Sequence, residues 1–430
     1  MKLEGCRALA VGMEKSGRAA AAFLDGHGAQ VTTTDLKLQD TPGFLVQSEE
    51  LFDQVWDLIV LSPGVPADLP GLERARARGV EVMGEVELAA PYLRGRTIGI
   101  TGSNGKTTTA SLVAHILRHA GTPMQLGGNI GTPVVAMIAD SRPGQWNILE
   151  LSSFQLETTR TFRAEVAVCL NVTQNHLDRH YTFERYAEAK SQLFRHQQTG
   201  DFAVLNRNDA VCRWLAGVTP AQTFWFSADD VLEGRLFVDG KVLMELGEIP
   251  IPGMHNAENV LAAAHVARLA GVELPVIAEA VRSFQAVEHR LEFVAEINGV
   301  RFYNDSKATS VDATIKALDS FEGNLWIILG GKDKGSDYTL LVDRLQKKAR
   351  GVLLIGAAAD IIAGQLAGKV VTQRVETMQR ALHEAWASAR PGDTVLLAPA
   401  CASYDQFQSY EHRGKVFKDL VNGLQHGAAA

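Results

Sequence analysis

Three observations predict an α/β protein of three domains. Apolar strand-like runs alternate with helix-like segments, as in "RALAVG", "SGRAAAAFLDGHG" and "AQVTTTD". A glycine-rich loop, "GITGSNGKTTTA" at residues 99–110, falls between an apolar run and a helical one. A chain of 430 residues, 46% of them hydrophobic, can bury two or three ordinary cores and would be unusual with one. The expected order is a Rossmann-like domain over 1–93, a central P-loop mononucleotide-binding domain over 94–286 and a Rossmann-like carboxy-terminal α/β domain over 287–430.

In the first domain a buried strand, a helix closed by glycine and a strand ending on Asp35 give a Rossmann-like opening. Gly12 and Gly17 hold the outer positions of G-x-G-x-x-G, but Glu14 occupies the middle one, where backbone should approach a pyrophosphate. Its carboxylate repels a diphosphate, so NAD is disfavoured and a related fold that holds another nucleotide-like ligand less intimately is expected. The strand in "WDLIVLSPGVP" then runs into a Ser62-Pro63-Gly64 turn.

The central loop carries the strongest chemical signal. Backbone N–H groups across Gly102, Ser103, Asn104 and Gly105, with the following helix dipole, suit a phosphate; Lys106 adds a point charge, and Thr107 or Thr108 would face Mg²⁺. The spacing is a variant of G-x-x-x-x-G-K-[ST], because Ile100 stands at its first glycine. Glu150 emerges at the end of an apolar strand in "QWNILELSSFQLE", where P-loop proteins commonly supply an acid to the metal, although a solvated strand-end carboxylate is the alternative. His176 and His180 lie four apart, but Leu177 takes the place of the metalloprotease glutamate and no third ligand is visible, so zinc is disfavoured. His176 is assigned to the phosphate site and His180 to an exposed loop. Lys190, in the alternating charges of "RYAEAKSQLF", reads by itself as a surface lysine. "VDGK" at Asp239 and Gly240 marks a hairpin, while Asn256 and Asn259 stand at the mouth of an alanine-rich helix as caps or as readers of a base edge.

Beyond Val287 come "VRFYNDSKATSVDAT", "NLWIILGGKDKGSDY" and "DTVLLAPACASYDQF", apolar strands ending in polar loops. Ligands of open parallel sheets lie beyond the carboxyl ends of the strands, so these loops form a candidate acceptor site in an enzyme assembled across an interdomain cleft. The net charge of −7, with lysine and arginine scattered among acids, disfavours a polynucleotide partner. Four separated cysteines suit a reducing compartment. No apolar run approaches the length of a membrane span, and "RALAV" is too short for a signal segment, so a cytoplasmic protein without membrane insertion is expected. The "NVT" at Asn171 is then an accidental sequon.

"GITGSNGKTT", "ELSSFQLE", "NVTQNHLDRH", "GMHNAENVLAA", "EHRLEFV", "NDSKATS", "GGKDKGSDY" and "PACASYDQF" occur in the order found in the Mur ligases, which the chain resembles over nearly its whole length. "NDSKAT" and "PACASYDQF" are similar to the branch that adds D-glutamate; folylpolyglutamate synthetase, a relative with a similar phosphate loop, ordinarily differs at "NDSKAT". The resemblance implies that ATP phosphorylates the carboxylate of UDP-N-acetylmuramoyl-L-alanine and that the amine of D-glutamate displaces phosphate. It further implies that Lys106 and Thr107 hold the phosphates, that Thr107 and Glu150 hold one Mg²⁺, and that His176 and Lys190 hold a second. An ammonium cannot ligate a cation, so Lys190 would carry a carbamate. Asn259 and Asp305 would read adenine and ribose, and Arg290 would meet the phosphates. The nucleotide sugar would lie against Lys15, Ser16, Asp35, Leu36, Ser62 and Gly64, its acyl end against Asn129, Ser152, Gln155 and Lys307, and D-glutamate against Thr309, Lys334, Ser403, Tyr404 and Tyr410. Glu14, Lys15 and Leu36 depart from the family pattern at the uridine end, as do Tyr404 and Tyr410, where an aliphatic residue and phenylalanine are common. A monomer is expected. A phosphotransferase or hydrolytic NTPase, and a nucleotide sensor without turnover, are the competing classes.

Overall fold

The computed structural model describes residues 2–36, 45–285 and 287–427; residue 286, the expected end of the central domain, lies outside them. The chain forms two compact units, Met1–Glu248 with Ala257–Arg282, and Ile249–Asn256 with Ser283–Ala430.

The first unit holds three sheets. Strands β1 (Arg7–Val11), β2 (Gln30–Asp35), β3 (Leu45–Val46), β4 (Leu58–Leu61) and β5 (Glu81–Gly84) form a parallel sheet in the order β3-β2-β1-β4-β5. Ala8, Leu9, Ala10 and Val11 are all buried, as an unbroken apolar strand covered on both faces must be. The two glycines at the outer positions of the dinucleotide pattern are needed for packing here. A Cβ on Gly17 would fall 1.7 Å from the Gly12 carbonyl oxygen, and Gly12 itself has φ +85°. Asp35 turns its carboxylate back to accept the Met13 N–H at 2.5 Å.

The second sheet is also parallel. Its strands are β6 (Arg96–Thr101), β7 (Met124–Gly128), β8 (Trp146–Glu150), β9 (Val166–Cys169), β10 (Phe202–Asn206) and β11 (Gln222–Phe226), ordered β11-β10-β9-β6-β8-β7. The carboxyl ends of β6, β8 and β9 therefore lie side by side. A small antiparallel sheet of β12 (Val231–Leu232), β13 (Arg235–Val238) and β14 (Lys241–Glu245) follows. Asp239 and Gly240, with φ of 51° and 73°, form its two-residue turn, as "VDGK" predicts.

Within this unit the short helix Glu85–Ala89 ties the first sheet to the second. Glu87 is buried and accepts the N–H groups of Arg160, Thr161 and Phe162 at 2.8, 2.8 and 3.1 Å, and the Thr161 hydroxyl. Glu85 accepts Val135 N–H at 3.0 Å and Gln155 Nε2 at 3.2 Å; burial raises its pKa and these hydrogen bonds oppose the rise.

The second unit is one sheet: β15 (Glu292–Ile297), β16 (Val300–Asn304), β17 (Leu325–Gly330), β18 (Ala349–Ile355), β19 (Gln373–Glu376) and β20 (Thr394–Leu397), in the order β15-β16-β20-β17-β18-β19. It has a core on each face, one around Leu325, Ile327 and Leu329 and another around Ile328, Leu353 and Val395. The expected open parallel sheet holds except at β15, which is antiparallel to β16. The cause is local: the two-residue link Asn298-Gly299, with φ of 49° and 77°, makes a hairpin, and a hairpin cannot join parallel strands. Among the described residues no helix is long and apolar enough to cross a membrane.

Replacing Glu87 by alanine leaves three backbone donors and a hydroxyl without their acceptor. Urea denaturation should show a loss of about 2 kcal/mol or more, with Glu87→Gln between the variant and wild type. A change within about 0.5 kcal/mol would mean that water replaces the carboxylate at no cost.

Candidate active site

The phosphate loop leaves β6 at Thr101 and enters the helix Lys106–His119. Gly102 and Gly105 have φ of 150° and 84°, and a Cβ on Gly105 would meet Asn259 Oδ1 at 2.4 Å, so two glycines are required by backbone angle and by space. The neighbouring strand end shapes the loop. Ser103 N–H donates to the Asn171 carbonyl at 2.7 Å, Asn104 N–H to Asn171 Oδ1 at 3.0 Å, and Asn171 Nδ2 to the Asn104 carbonyl at 3.2 Å. Ser103 Oγ takes the Thr173 N–H at 2.9 Å and lies 3.0 Å from the buried Tyr186 hydroxyl.

Two ammonium groups meet on this loop. Lys106 Nζ donates to the carbonyls of Gly102 and Ser103 at 2.8 and 3.1 Å, and Lys190 Nζ donates to the same Gly102 carbonyl at 2.9 Å and to Thr101 Oγ1 at 3.3 Å. Lys190, far from being a surface lysine, is 1% exposed. Its helix, Phe183–Arg195, turns one face into the core, so the charge alternation seen in sequence covers only the other face. Burial, then repulsion from Lys106, lowers the Lys190 pKa to about 7.

Glu150 closes β8 in register with Ile100. Its Oε1 accepts Asn129 Nδ2 at 2.8 Å, and its Oε2 is buried without a hydrogen-bond partner among the described residues. A buried carboxylate oxygen of this kind suits a cation. Among the described residues no three His, Cys, Asp or Glu side chains gather as a metal site. His176, at φ 54°, has its pKa lowered by desolvation of the ring and by Lys106 and Lys190, which favours the neutral imidazole that a metal ligand requires.

His180 is not in an exposed loop. It is buried in the short helix Leu177–His180, with Nε2 2.9 Å from Ser153 Oγ and its ring between Phe154 and Tyr186 at 5.5 and 5.4 Å. Asn256 and Asn259 are not caps either, since the helix Met254–Leu269 begins before both. Asn256 donates to the Pro252 carbonyl at 2.7 Å, and Asn259 lies against Gly105 and takes a 3.2 Å hydrogen bond from Thr109. Thr107 is buried in the first turn after Lys106, and Thr108 is half-buried beside it.

Ser152 and Gln155 form a capping box, and Gln155 reaches Glu85 as well. At the strand ends of the first sheet lie the buried Asp35 and Ser62, the half-buried Ser16, and the exposed Lys15, Leu36 and Gly64; Lys15 Nζ donates to the Gly131 carbonyl.

In the second unit Asp305 follows β16, accepts Leu291 N–H at 3.3 Å and is pushed up to about 7 by burial, against the pull of Arg290. Lys307 Nζ stands 5.2 Å from the centre of the Tyr410 ring, and Thr309 is half-buried two residues on. Lys334 is exposed, Ser403 buried and Tyr404 70% exposed. Arg413, a residue with no signal in "EHRGK", is fully buried: it donates to Ser306 Oγ and the Ser306 carbonyl at 3.0 and 2.8 Å and to the Cys401 carbonyl at 3.1 Å. Asn171 and Tyr186 were equally missed as loop supports. The usable signal for Asn171 was its place just past a buried strand beside β6.

A glycine-turned phosphate loop with paired lysines, on a parallel sheet and followed by a second α/β unit, defines a nucleotide-dependent class of enzyme, and the comparisons specify which. Residues 100–267 match the Mur ligase middle domain and residues 289–401 the Mur ligase glutamate ligase domain. The chain belongs to the Mur ligase family. It is 62% identical over 440 residues, 99% of each chain, to a protein of Solibacter usitatus named UDP-N-acetylmuramoylalanine--D-glutamate ligase. A protein of the same name from Acidobacterium capsulatum is 49% identical, over 100% of this chain and 98% of its own. Among solved structures, a MurF ligase of Thermotoga maritima in complex with ADP shares the fold with a TM-score of 0.61 at 17% identity, covering 98% of this chain and 99% of its own.

Desolvation, reinforced by Arg179, His176 and Lys190, lowers the His180 pKa to about 4. The unfolded chain takes up this proton near 6.5 and the folded chain only near 4, so stability is full above pH 6.5 and falls as pH drops through that window. Between pH 7.5 and pH 5, denaturation should show wild type losing roughly 2 kcal/mol more stability than His180→Asn. Equal losses in variant and wild type would place the sensitivity elsewhere.

Proposed function

We propose that this protein is an ATP-dependent ligase that joins D-glutamate to UDP-N-acetylmuramoyl-L-alanine in cytoplasmic peptidoglycan precursor synthesis, giving ADP and phosphate. The observation that carries the activity is the 62% identity, over 99% of both chains, to a relative of that name.

A carboxylate is a poor acyl donor because its leaving group would be oxide. One carboxylate oxygen therefore attacks the γ-phosphorus, ADP leaves, and an acyl phosphate forms. The amine of D-glutamate then adds to the acyl carbon, the nitrogen loses a proton, and phosphate departs with the former carboxylate oxygen. Both steps demand positioning and charge neutralisation. The Lys106 ammonium and the amino-terminal end of the helix Lys106–His119 meet the phosphates, with Thr107 and Thr108 beside them, while the Ser103 and Asn104 N–H groups are taken by Asn171. Asn259 backs the loop at Gly105; the resemblance assigns adenine and ribose to Asn259 and Asp305 and the phosphates to Arg290. Glu150 and Thr107 would hold one Mg²⁺, and His176 and a carbamate on Lys190 a second; bound there, the ions would neutralise phosphate charge. The orphaned Glu150 Oε2 and the neutral His176 fit that assignment.

Lys190 fits a carbamate for a physical reason. With a pKa near 7 much of it is the free amine, which can form an N–C bond to CO₂ and release a proton. The product replaces a buried cation beside Lys106 with an anion, turning repulsion into attraction. The nucleotide sugar lies against the strand ends carrying Asp35 and Ser62, with its acyl end near Asn129 and Ser152. D-Glutamate, which brings two carboxylates, is received by Lys334, Ser403, Thr309 and Tyr410.

Phosphate release should require both the nucleotide sugar and D-glutamate, with other amino acids inactive; release from ATP alone would identify a hydrolase instead. Lys190→Ala should lose about a hundredfold or more in turnover, and acetate or formate should restore part of it. Full activity of that variant in CO₂-depleted buffer would contradict the carbamate.

A further inference from the structure

We propose that Tyr338 is a positioning residue for the amino-acid acceptor, its buried hydroxyl fixing the Lys334 turn against the loop that carries Ser403. The proposal rests on the reading that these two loops receive D-glutamate.

Tyr338 is fully buried. Its Oη lies 2.7 Å from Asp333 Oδ1 and 2.9 Å from Cys401 Sγ. Asp333, held below the usual carboxylate range chiefly by this hydroxyl, can only accept, so Tyr338 donates to Asp333 and the Cys401 thiol donates to Tyr338. Burial pushes the Cys401 thiol up to about 11 and the Tyr338 phenol upward too, so both protons stay in place at neutral pH.

The same carboxylate organises the turn on the other side. Asp333 Oδ2 accepts Gly335 N–H at 2.9 Å and Oδ1 accepts Ser336 N–H at 3.2 Å, so Lys334 projects from a turn closed around Asp333. Two backbone hydrogen bonds join the loops next door, Lys332 N–H to the Ala402 carbonyl at 2.8 Å and Ala402 N–H to the Lys332 carbonyl at 3.2 Å. They set how closely the loops approach, and a Cβ on Gly331 would fall 2.2 Å from the Ala402 oxygen. The chain from Cys401 through Tyr338 to Asp333 ties the Lys334 turn to the Ser403 loop by side chains, and Gln365 Nε2 also holds the turn, at the Ser336 carbonyl 3.2 Å away. A phenylalanine ring would fill the same space, so the hydroxyl serves the tie and not the packing. Lysine brings a flexible stem, and a turn fixed in advance removes part of the ordering that acceptor binding otherwise requires.

The test compares steady-state kinetics of Tyr338→Phe, Asp333→Asn and Lys334→Met with wild type. Tyr338→Phe should raise the KM for D-glutamate about tenfold, with kcat and the KM values for ATP and nucleotide sugar within about twofold. Asp333→Asn should give the same split. The double variant should be no worse than the more affected single variant, because both act on one network: phenylalanine removes its donor, and an amide at 333 keeps only one of the two acceptor oxygens that the hydroxyl and the turn N–H groups share. A general structural role would move all the constants together, and that result, or an unchanged D-glutamate KM in Tyr338→Phe, overturns the proposal. Should Tyr338→Phe fail to fold, Asp333→Asn, at a half-exposed residue, decides it by the same criterion. If Lys334→Met leaves the D-glutamate KM unchanged, the acceptor reading falls and the proposal with it. If Lys334→Met raises it while the other two do not, the proposal alone falls.

Discussion

The carbonyl oxygen of Gly102 accepts hydrogen bonds from two lysine ammoniums, and the arrangement of the first unit follows from that convergence. Like charges so placed repel, and the cost is greatest where solvent is excluded. Burial, with Lys106 adding to it, lowers the Lys190 pKa, and desolvation of the ring, with Lys106 and Lys190 adding to it, lowers that of His176. The locus calls for anions, which a phosphate chain would supply from outside and a carbamate from within. Holding Gly102 in place requires a strand end with neighbours on both sides, and β6, flanked by β8 and β9, meets that need. Glu150 comes from one neighbour and the Asn171 clamp from just beyond the other.

The same economy governs the flanking structure. Gly12 and Gly17 lie where a dinucleotide fold would place them, yet the contact they permit is helix against loop carbonyl. Buried acids tie the first sheet to the second through backbone N–H groups. In the second unit the polar strand ends are joined by buried ties, Arg413 between the Ser306 and Cys401 loops and Tyr338 between the Asp333 and Cys401 loops.

Local signals carried most of the fold. Unbroken apolar runs became parallel strands covered on both faces, the "VDGK" hairpin formed where its turn residues sit, and the phosphate loop took its place between strand and helix. What the sequence concealed was set by distant contacts. Lys190 looks like part of a charged helix face, because the Gly102 carbonyl that buries its ammonium belongs to another element. His180 seems a loop residue until Ser153, Phe154 and Tyr186 enclose it. Asn171 carries no local sign of its role beyond its place near the end of a strand beside the phosphate loop, where an amide can serve two backbone groups at once. The antiparallel β15 was legible in principle, since Asn298-Gly299 is a hairpin turn.

The central claim is that a phosphate held on the Gly102–Lys106 loop is transferred to a carboxylate before the amide forms. Nucleotide sugar labelled with ¹⁸O in both oxygens of its alanyl carboxylate tests it directly, by mass spectrometry of the inorganic phosphate released in a complete reaction. The account predicts one ¹⁸O atom in each phosphate and one retained in the amide carbonyl. Phosphate without label, formed alongside amide product, would contradict it.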